Sequence, residues 1–315
     1  MDRLESKFVG SLTGAALGDA VGELAFRLPA RERLTGELAW RAELSYTDDT
    51  AMAIALAESL LSTGDVDSEH LGRTLSTQYE HEPWRGYGPG PPTIFAAVAA
   101  EGIPYRAAAR RLYSGQGSYG NGAAMRAAPL GIYFHDSRAL YDKARAQAEA
   151  THTHPLGIDG AAVQSRAVAL AVNLDPTETA DPQELAGPFL EELMAFARTE
   201  ILGDKLAEVR RLLEGCAGPG EAIHRLGHSL AVHESLPFAL YSFLSHPDSF
   251  AETVFCATLH GGDRDTMGAM AGAVSGAYLG AEALPGEWRA KLEHRERIEA
   301  LAAQLFRAQG GSRPR

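Results

Sequence analysis

Glycine returns at every fourth position in the run TMGAMAGAVSGAYLG, at Gly268, Gly272, Gly276 and Gly280. Residues four apart share one face of a helix, so these positions make a stripe with no side chains. Each glycine costs a helix about 1 kcal/mol relative to alanine. Such a stripe is sensible only where a second backbone packs against it very closely. The remaining patterns also favour helices, since alanine is abundant, β-branched runs are short and alternating strand patterns are scarce. We read an all-α chain with one compact domain of roughly ten or more helices over residues 1–308, and QGGSRPR at 309–315 as a disordered tail. No repeat of fixed period and no shift in composition marks a linker.

Periodicity and punctuation set the expected elements. Leu4, Phe8, Leu12 and Ala16 line one helix face, and Gly18 and Gly22 are expected to break that helix around Asp19. A second helix begins at the TDDT segment, carries Met52, Ile54, Leu56, Leu60 and Leu61, and ends at Gly64. EPWRGYGPGPPT, residues 82–93, reads as a loop, followed by a short helix over Ile94–Ala100. SGQGSYGNG, residues 114–122, reads as a second loop. Asp181 before Pro182 and Glu184 is a helix start. Glu191–Leu213 reads as one surface helix, and Ser249–Glu252 as a capping box opening a helix to about Leu259.

The 315 residues carry a net charge of -12, which argues against a phosphate-coated partner such as duplex DNA. A small phosphate ligand remains compatible, because backbone N–H groups at a helix start bind one without basic side chains. Cys216 and Cys256 are forty residues apart with no CxxC, so neither a disulfide framework nor a zinc ribbon is supported. The charged start MDRLESKF shows no signal peptide, and the weakly polar stretch Thr266–Ala281 is too short to span a bilayer. The expectation is a soluble, cytoplasmic monomer with no nucleic-acid or membrane partner.

Two acidic turns carry the chemistry. Thr47, Asp48 and Asp49 stand before one helix, and Asp263, Asp265 and Thr266 before another. Capping explains one aspartate per helix, worth about 1 kcal/mol, but not two. If the helix starts meet, like charges about 4 Å apart repel by about 4 kcal/mol at an effective dielectric near 20. A nest of four then needs a cation, and oxygen ligands favour Mg²⁺, Ca²⁺ or Mn²⁺ over zinc. Separate caps and solvated faces are the alternative.

In chain order, the stretches SLTGAALGDAVG, YTDDTAMA, RGYGPG, GSYGNGAAMRAAPLG, THTHPLGIDGA, ESLPFALYSFL and LHGGDRDTMGAMAGAVSGAYLG resemble the ADP-ribosylglycohydrolase family. That group includes the dinitrogenase reductase-activating glycohydrolase and the ADP-ribosyl-acceptor hydrolases. RGYGPG and GSYGNG resemble its branch that removes O-linked ADP-ribose. The resemblance implies a compact, orthogonal all-α bundle around a dinuclear metal site holding two Mg²⁺, with Mn²⁺ as the alternative. It implies Thr47, Asp48, Asp49, Asp263, Asp265 and Thr266 as metal ligands. Gly117, Ser118, Tyr119, Gly120 and Asn121 would wrap the diphosphate and ribose, with Tyr113 and Tyr119 offering ring faces and His152 near the distal part of the ligand. His152 has a blander reading as a polar loop residue. Gly88 and its GYGPG neighbours either line the substrate or only make a turn. Met125 and Arg126 read as structural, Glu234 as a core carboxylate bonded to backbone N–H groups, Cys256 as core, and Asp19 as a buried acceptor that organises a loop.

Two positions depart from the family pattern. The branch has a catalytic glutamate eight residues after the glycine of the GD pair, where this chain has Phe26; the nearest acid is Glu23. Arg264 sits between the two aspartates of GGDRDT, where a small polar residue is usual. It either points outward or reaches across the cleft. The expected reaction is hydrolysis of an ADP-ribosyl bond, from serine, poly(ADP-ribose) or O-acetyl-ADP-ribose, with Asp49, Asp263 and Glu23 as candidate catalytic groups. The partner is then an ADP-ribose-containing small molecule or an ADP-ribosylated protein. The alternatives are a non-catalytic ADP-ribose-binding protein, an N-linked (arginine) ADP-ribosyl hydrolase, and a metal-dependent phosphohydrolase acting on the diphosphate.

Overall fold

The computed structural model describes residues 2–177 and 182–311. Its first third runs α1 (Arg3–Arg27), α2 (Arg31–Trp40), α3 (Asp48–Thr63), α4 (Ser68–His81), α5 (Gly90–Glu101), α6 (Tyr105–Arg110) and α7 (Leu112–Gly115). The middle holds α8 (Gly122–Met125), α9 (Ala128–Tyr133), α10 (Leu140–Ala148), α11 (Pro155–Asn173), α12 (Pro182–Phe196) and α13 (Glu200–Glu214). The remainder is α14 (Pro219–Leu226), α15 (Val232–Ser245), α16 (Phe250–Thr258), α17 (Arg264–Leu279), a 3-10 turn at Ala281–Ala283, α18 (Gly286–Lys291) and α19 (Arg295–Gly311). Among the described residues there is no strand, only the isolated bridges Leu44–Leu292 and Gly120–Ala231. The chain is all-α, as the patterning predicts. No described helix is long and apolar enough to cross a membrane. The Asp181 cap and residues 312–315 lie outside the described residues.

The glycine stripe of α17 meets a second one on α1, and the two helices pack antiparallel along most of their length. Gly10 faces Gly276, Gly14 faces Gly272 and Gly18 faces Gly268. A Cβ on Gly18 would stand 2.0 Å from the Gly268 carbonyl oxygen, and one on Gly22 would stand 2.3 Å from that of Arg264. The expected break at Gly18 and Gly22 is therefore wrong, because α1 is continuous to Arg27. Those glycines let two main chains touch rather than ending a helix. Gly280 does not extend the stripe; it stops α17 with φ +88°.

Other boundaries shifted for equally local reasons. The 82–93 loop is shorter than expected, since α5 begins at Gly90 and takes Pro91 and Pro92 into its first turn, where no N–H partner is needed. Gly122 opens α8, and Tyr113 and Ser114 adopt left-handed φ of 51° and 59°. The single helix expected over Glu191–Leu213 is split between α12 and α13. There the N–H groups of Arg198 and Thr199 leave the helical ladder and donate to buried Asp159 on α11, at 2.7–3.1 Å. Only half of the Ser249 capping box forms: its hydroxyl accepts from Glu252 N at 3.3 Å, while Ser249 N donates to the His246 carbonyl and the Glu252 carboxylate pairs with Arg31.

Candidate active site

The glycine seam brings the start of α17 level with Asp19. The wholly buried Asp19 carboxylate in turn holds the start of α3. Thr47 N donates to both of its oxygens at 3.0 Å, Thr50 N donates at 3.1 Å, and Thr50 Oγ1 at 2.6 Å. Asp19 is thus the loop organiser the sequence predicts, although it sits in a helix. Both acidic turns dock on one helix, and they meet. Thr266 Oγ1 reaches Asp49 Oδ2 at 3.3 Å across 217 residues of chain, and Thr47 Oγ1 reaches the same oxygen at 3.2 Å. Asn121 Nδ2 donates to Asp263 Oδ2 at 2.5 Å and to Ser235 Oγ at 3.1 Å.

The electrostatics follow from that crowding. Burial, then the Asp265, Asp19, Asp48 and Asp263 charges, raise the Asp49 carboxyl well above its ordinary 3.8. Burial and neighbouring aspartates push Asp48 up to about 7 and Asp265 up to about 8. Burial raises Asp263, and lifts Asp19 to about 6 against the pull of its hydrogen bonds to Thr50 and Thr47. The nest is stable only if protons or cations neutralise it. Among the described residues no three His, Cys, Asp or Glu side chains already converge as a formed metal site. The two turns offer an open array of oxygens instead, and Asp49 Oδ1 is buried there without a hydrogen-bond partner.

A cleft of about 300 Å³ opens from the nest. Asp48, Asp49, Asp263, Asp265 and Thr266 form one end, with Thr47 behind Asp49. Gly88, Tyr113, Ser118, Gly120, Asn121 and His152 line the walls. Thr151 Oγ1 lies 2.8 Å from His152 Nδ1, and burial, then the Arg126 charge, push the imidazole down to about 3, so it is neutral at ordinary pH. Gly120 and Gly122 pass its other edge; a Cβ on Gly122 would stand 2.9 Å from His152 Cε1.

Besides Thr47, three expected site residues stand outside this lining. Gly117 packs against Thr153 and His154 in a turn with φ +75°. Tyr119 faces the rings of His154 and His233 and walls an adjoining hollow of about 290 Å³ with Tyr113 and Gln116. Glu23 is half-buried on α1, one turn beyond Asp19 on the same face. Phe26 is 47% exposed. Arg264 does not cross the cleft, because its Nη1 donates to the Thr258 carbonyl at the end of α16.

Met125, read as structural, does line the cleft, together with Leu112, Thr151 and Leu230. Leu112 and Leu230 lie outside the family-like stretches and contribute shape, whereas Met125 and Thr151 lie within two of them and Thr151 also contacts His152. Arg126 is structural as expected, wholly buried and bonded through Nε and Nη2 to Gln147 at 2.9 Å. Glu234 accepts from Ser229 N at 3.1 Å as read, but it is half-buried at the surface rather than a core carboxylate. A larger cavity of about 550 Å³ lies among α12–α15 beside Leu190, Leu213 and Leu244. It contains none of the acidic-turn residues, so volume alone does not mark the chemistry.

Comparison with known proteins agrees with this geometry. A family model described as ADP-ribosylglycohydrolase matches residues 1–315. The chain is 34% identical to ADP-ribosylhydrolase ARH3 of Bos taurus, covering 96% of this chain and 93% of that one. It is 33% identical to ADP-ribosylhydrolase ARH3 of Homo sapiens, with the same coverage of both chains. A solved structure described as an ADP-ribosylglycohydrolase-related protein complex superposes with a TM-score of 0.73 at 28% identity, covering 98% of this chain and 100% of that chain. On these matches the chain belongs to the ADP-ribosylglycohydrolase family of glycosidic-bond hydrolases.

Proposed function

We propose that the protein releases ADP-ribose from an O-linked acceptor, whether serine, poly(ADP-ribose) or O-acetyl-ADP-ribose, by metal-dependent hydrolysis at the ribose anomeric carbon. The observation that carries this reading is the meeting of Asp49 with Thr266, which gathers both acidic turns at the end of one cleft. RGYGPG and GSYGNG, the stretches that resemble the O-linked branch, supply the cleft walls at Gly88, Ser118, Gly120 and Asn121.

The oxygens present fit divalent cations. Asp49 Oδ1 lacks a partner, and crowding that raises the Asp49 carboxyl favours a neutralising cation there. Thr47, Asp48, Asp49, Asp263, Asp265 and Thr266 would hold two Mg²⁺, or Mn²⁺. Bound ions supply Lewis acidity and lower the pKa of a water. The chain's own groups do the rest. Asn121 holds Asp263 in place. In the tautomer where Thr151 donates to Nδ1, the neutral His152 carries its proton on Nε2 and can donate to a ligand oxygen. Small residues at Gly120 and Gly122 admit a phosphate to backbone range. As the anomeric bond breaks, oxocarbenium character develops on the ribose. A carboxylate of the nest, Asp49 or Asp263, or Glu23 from the neighbouring turn of α1, accepts the proton of the attacking water, and a proton passes to the departing acceptor oxygen so that ADP-ribose and the free acceptor leave.

A panel of ADP-ribosylated substrates, assayed with and without EDTA, tests the reading. Mg²⁺-dependent release of intact ADP-ribose from an O-linked substrate is the expected result. AMP as product would point to diphosphate cleavage instead. The exposed Phe26 favours one second reading, an ADP-ribose-binding protein without turnover. Calorimetric binding with no hydrolysis of any linkage would establish it.

A further inference from the structure

Behind the acidic turn at Asp48 lies a buried guanidinium that the hydrolytic scheme leaves unused. Arg85 is 7% exposed, yet every one of its N–H donors has a partner. Nη1 and Nη2 grip Glu293 at 2.7 and 2.8 Å. Nη2 and Nε hold Glu82 at 2.9 and 3.3 Å. Nη1 also donates to the Tyr46 carbonyl at 3.0 Å, and the guanidinium carbon lies 4.1 Å over the Tyr46 ring.

The main chain of the same residue joins two parts of the site. The Arg85 carbonyl accepts Asp48 N–H at 2.9 Å. The next residue, Gly86, has φ +91°, and a Cβ there would stand 3.9 Å from Asp48 Oδ1. Gly86, Gly88, Pro89, Gly90 and Pro91 then form one wall of the cleft. On the far side, Glu293 belongs to a turn stitched to the strand of chain leading into Asp48. Leu44 N donates to Lys291 O at 2.8 Å, Glu293 N donates to Leu44 O at 3.0 Å, and Tyr46 Oη lies 2.9 Å from His294 Nδ1.

We propose that Arg85 is a positioning residue of the active site, fixing the Gly86–Pro91 wall against the Asp48–Asp49 turn, and that the distant turn at Glu293 acts on the site through it. This rests on the reading of the cleft as the substrate site. The planar five-donor fork is essential to the role, because lysine keeps the charge but cannot serve two carboxylates and a carbonyl in fixed directions.

The test compares Arg85→Lys, Glu293→Gln and the double variant by kinetics on an O-linked ADP-ribosylated peptide, thermal melting and amide hydrogen exchange. Each single variant is expected to raise KM about tenfold or more while kcat changes much less, since a displaced wall loses substrate placement first. The double variant should be no worse than the more damaged single one, because both remove the same contact. The amides of Asp48 and Arg85, bonded to the Arg85 and Glu82 carbonyls, should exchange about tenfold faster, with protection elsewhere and Tm close to the parent. Exchange that rises throughout the chain with a large fall in Tm and an unchanged KM would reduce Arg85 to a stability residue and overturn the proposal. So would full additivity. Should Arg85→Lys not fold, Glu293→Gln decides the matter. If the parent protein hydrolyses no ADP-ribosyl bond, the hydrolytic reading has failed on its own. Exchange then judges the clamp: faster exchange confined to Asp48 and Arg85 supports it, and unchanged exchange overturns it.

Discussion

Asp19 and Thr47 are joined by a two-oxygen grip: one carboxylate on the first helix takes the N–H that opens the third, at 3.0 Å on each oxygen. With Thr50 bound to the same group, this contact sets where the Asp48–Asp49 turn stands. Asp19→Ala leaves three buried donors without an acceptor, at about 1–3 kcal/mol for each one that water cannot reach. We expect a loss of about 3 kcal/mol or more in urea unfolding, together with loss of hydrolytic activity.

The glycine seam makes a sharper comparison. Gly18→Ala places a methyl 2.0 Å from a main-chain oxygen that cannot rotate away. The helices must separate, at about 3 kcal/mol or more. Gly36 lies in α2, is exposed, and has nothing within 4 Å of an added Cβ. Gly36→Ala should therefore leave stability unchanged or raise it by up to about 1 kcal/mol. Thermal melting of the two variants side by side distinguishes a packing glycine from an incidental one.

Removing one charge from the nest should separate activity from stability. Asp49→Asn and Asp263→Asn are expected to lower kcat by about 10²–10³-fold, the usual scale for losing a preorganised electrostatic group. In EDTA the same variants should melt at the same temperature as the parent or higher, because each relieves repulsion among buried carboxylates. A variant that is both active and destabilised would count against the proposed role of these residues.

The pH dependence of the metal-free protein follows from the same groups. Folded Asp19, Asp48 and Asp265 titrate at about 6, 7 and 8, all above the ordinary 3.8. Between about pH 4 and pH 8 the folded state therefore binds more protons than the unfolded chain. Stability contributed by these groups is complete below pH 4 and declines as pH rises through that window. In EDTA we expect Tm to fall on the order of 5 °C from pH 5 to pH 8. Added Mg²⁺ should raise Tm more at pH 8 than at pH 5, since protonated carboxylates ligate poorly.

Much of the site was legible because its chemistry is written in short stretches. TDDT, GNG and GGDRDT carry oxygen and amide groups whose side-chain types alone suggest what they do, and the structure gathers them. What misled were residues whose role depends on a distant partner. Gly18 and Gly22 look like helix breakers until the carbonyls of Gly268 and Arg264 are set against them. Nothing near Arg198 announces that its N–H will turn to Asp159, far back in the chain. Leu112 and Leu230 line the cleft through shape alone, which no local pattern encodes. Arg85 stands inside a recognised motif, but its importance comes from Glu293, 208 residues away.

Because the first helix and α17 touch through main chain along a four-residue spacing, their relative sliding is quantised. A slip to the next glycine moves one helix by about 6 Å, and intermediate offsets set side-chain Cβ atoms against the opposing carbonyls. The distance between the two acidic turns can therefore not drift by tenths of an ångström as mutations accumulate elsewhere. It is kept at one setting or lost altogether, as in a ratchet with a single usable tooth.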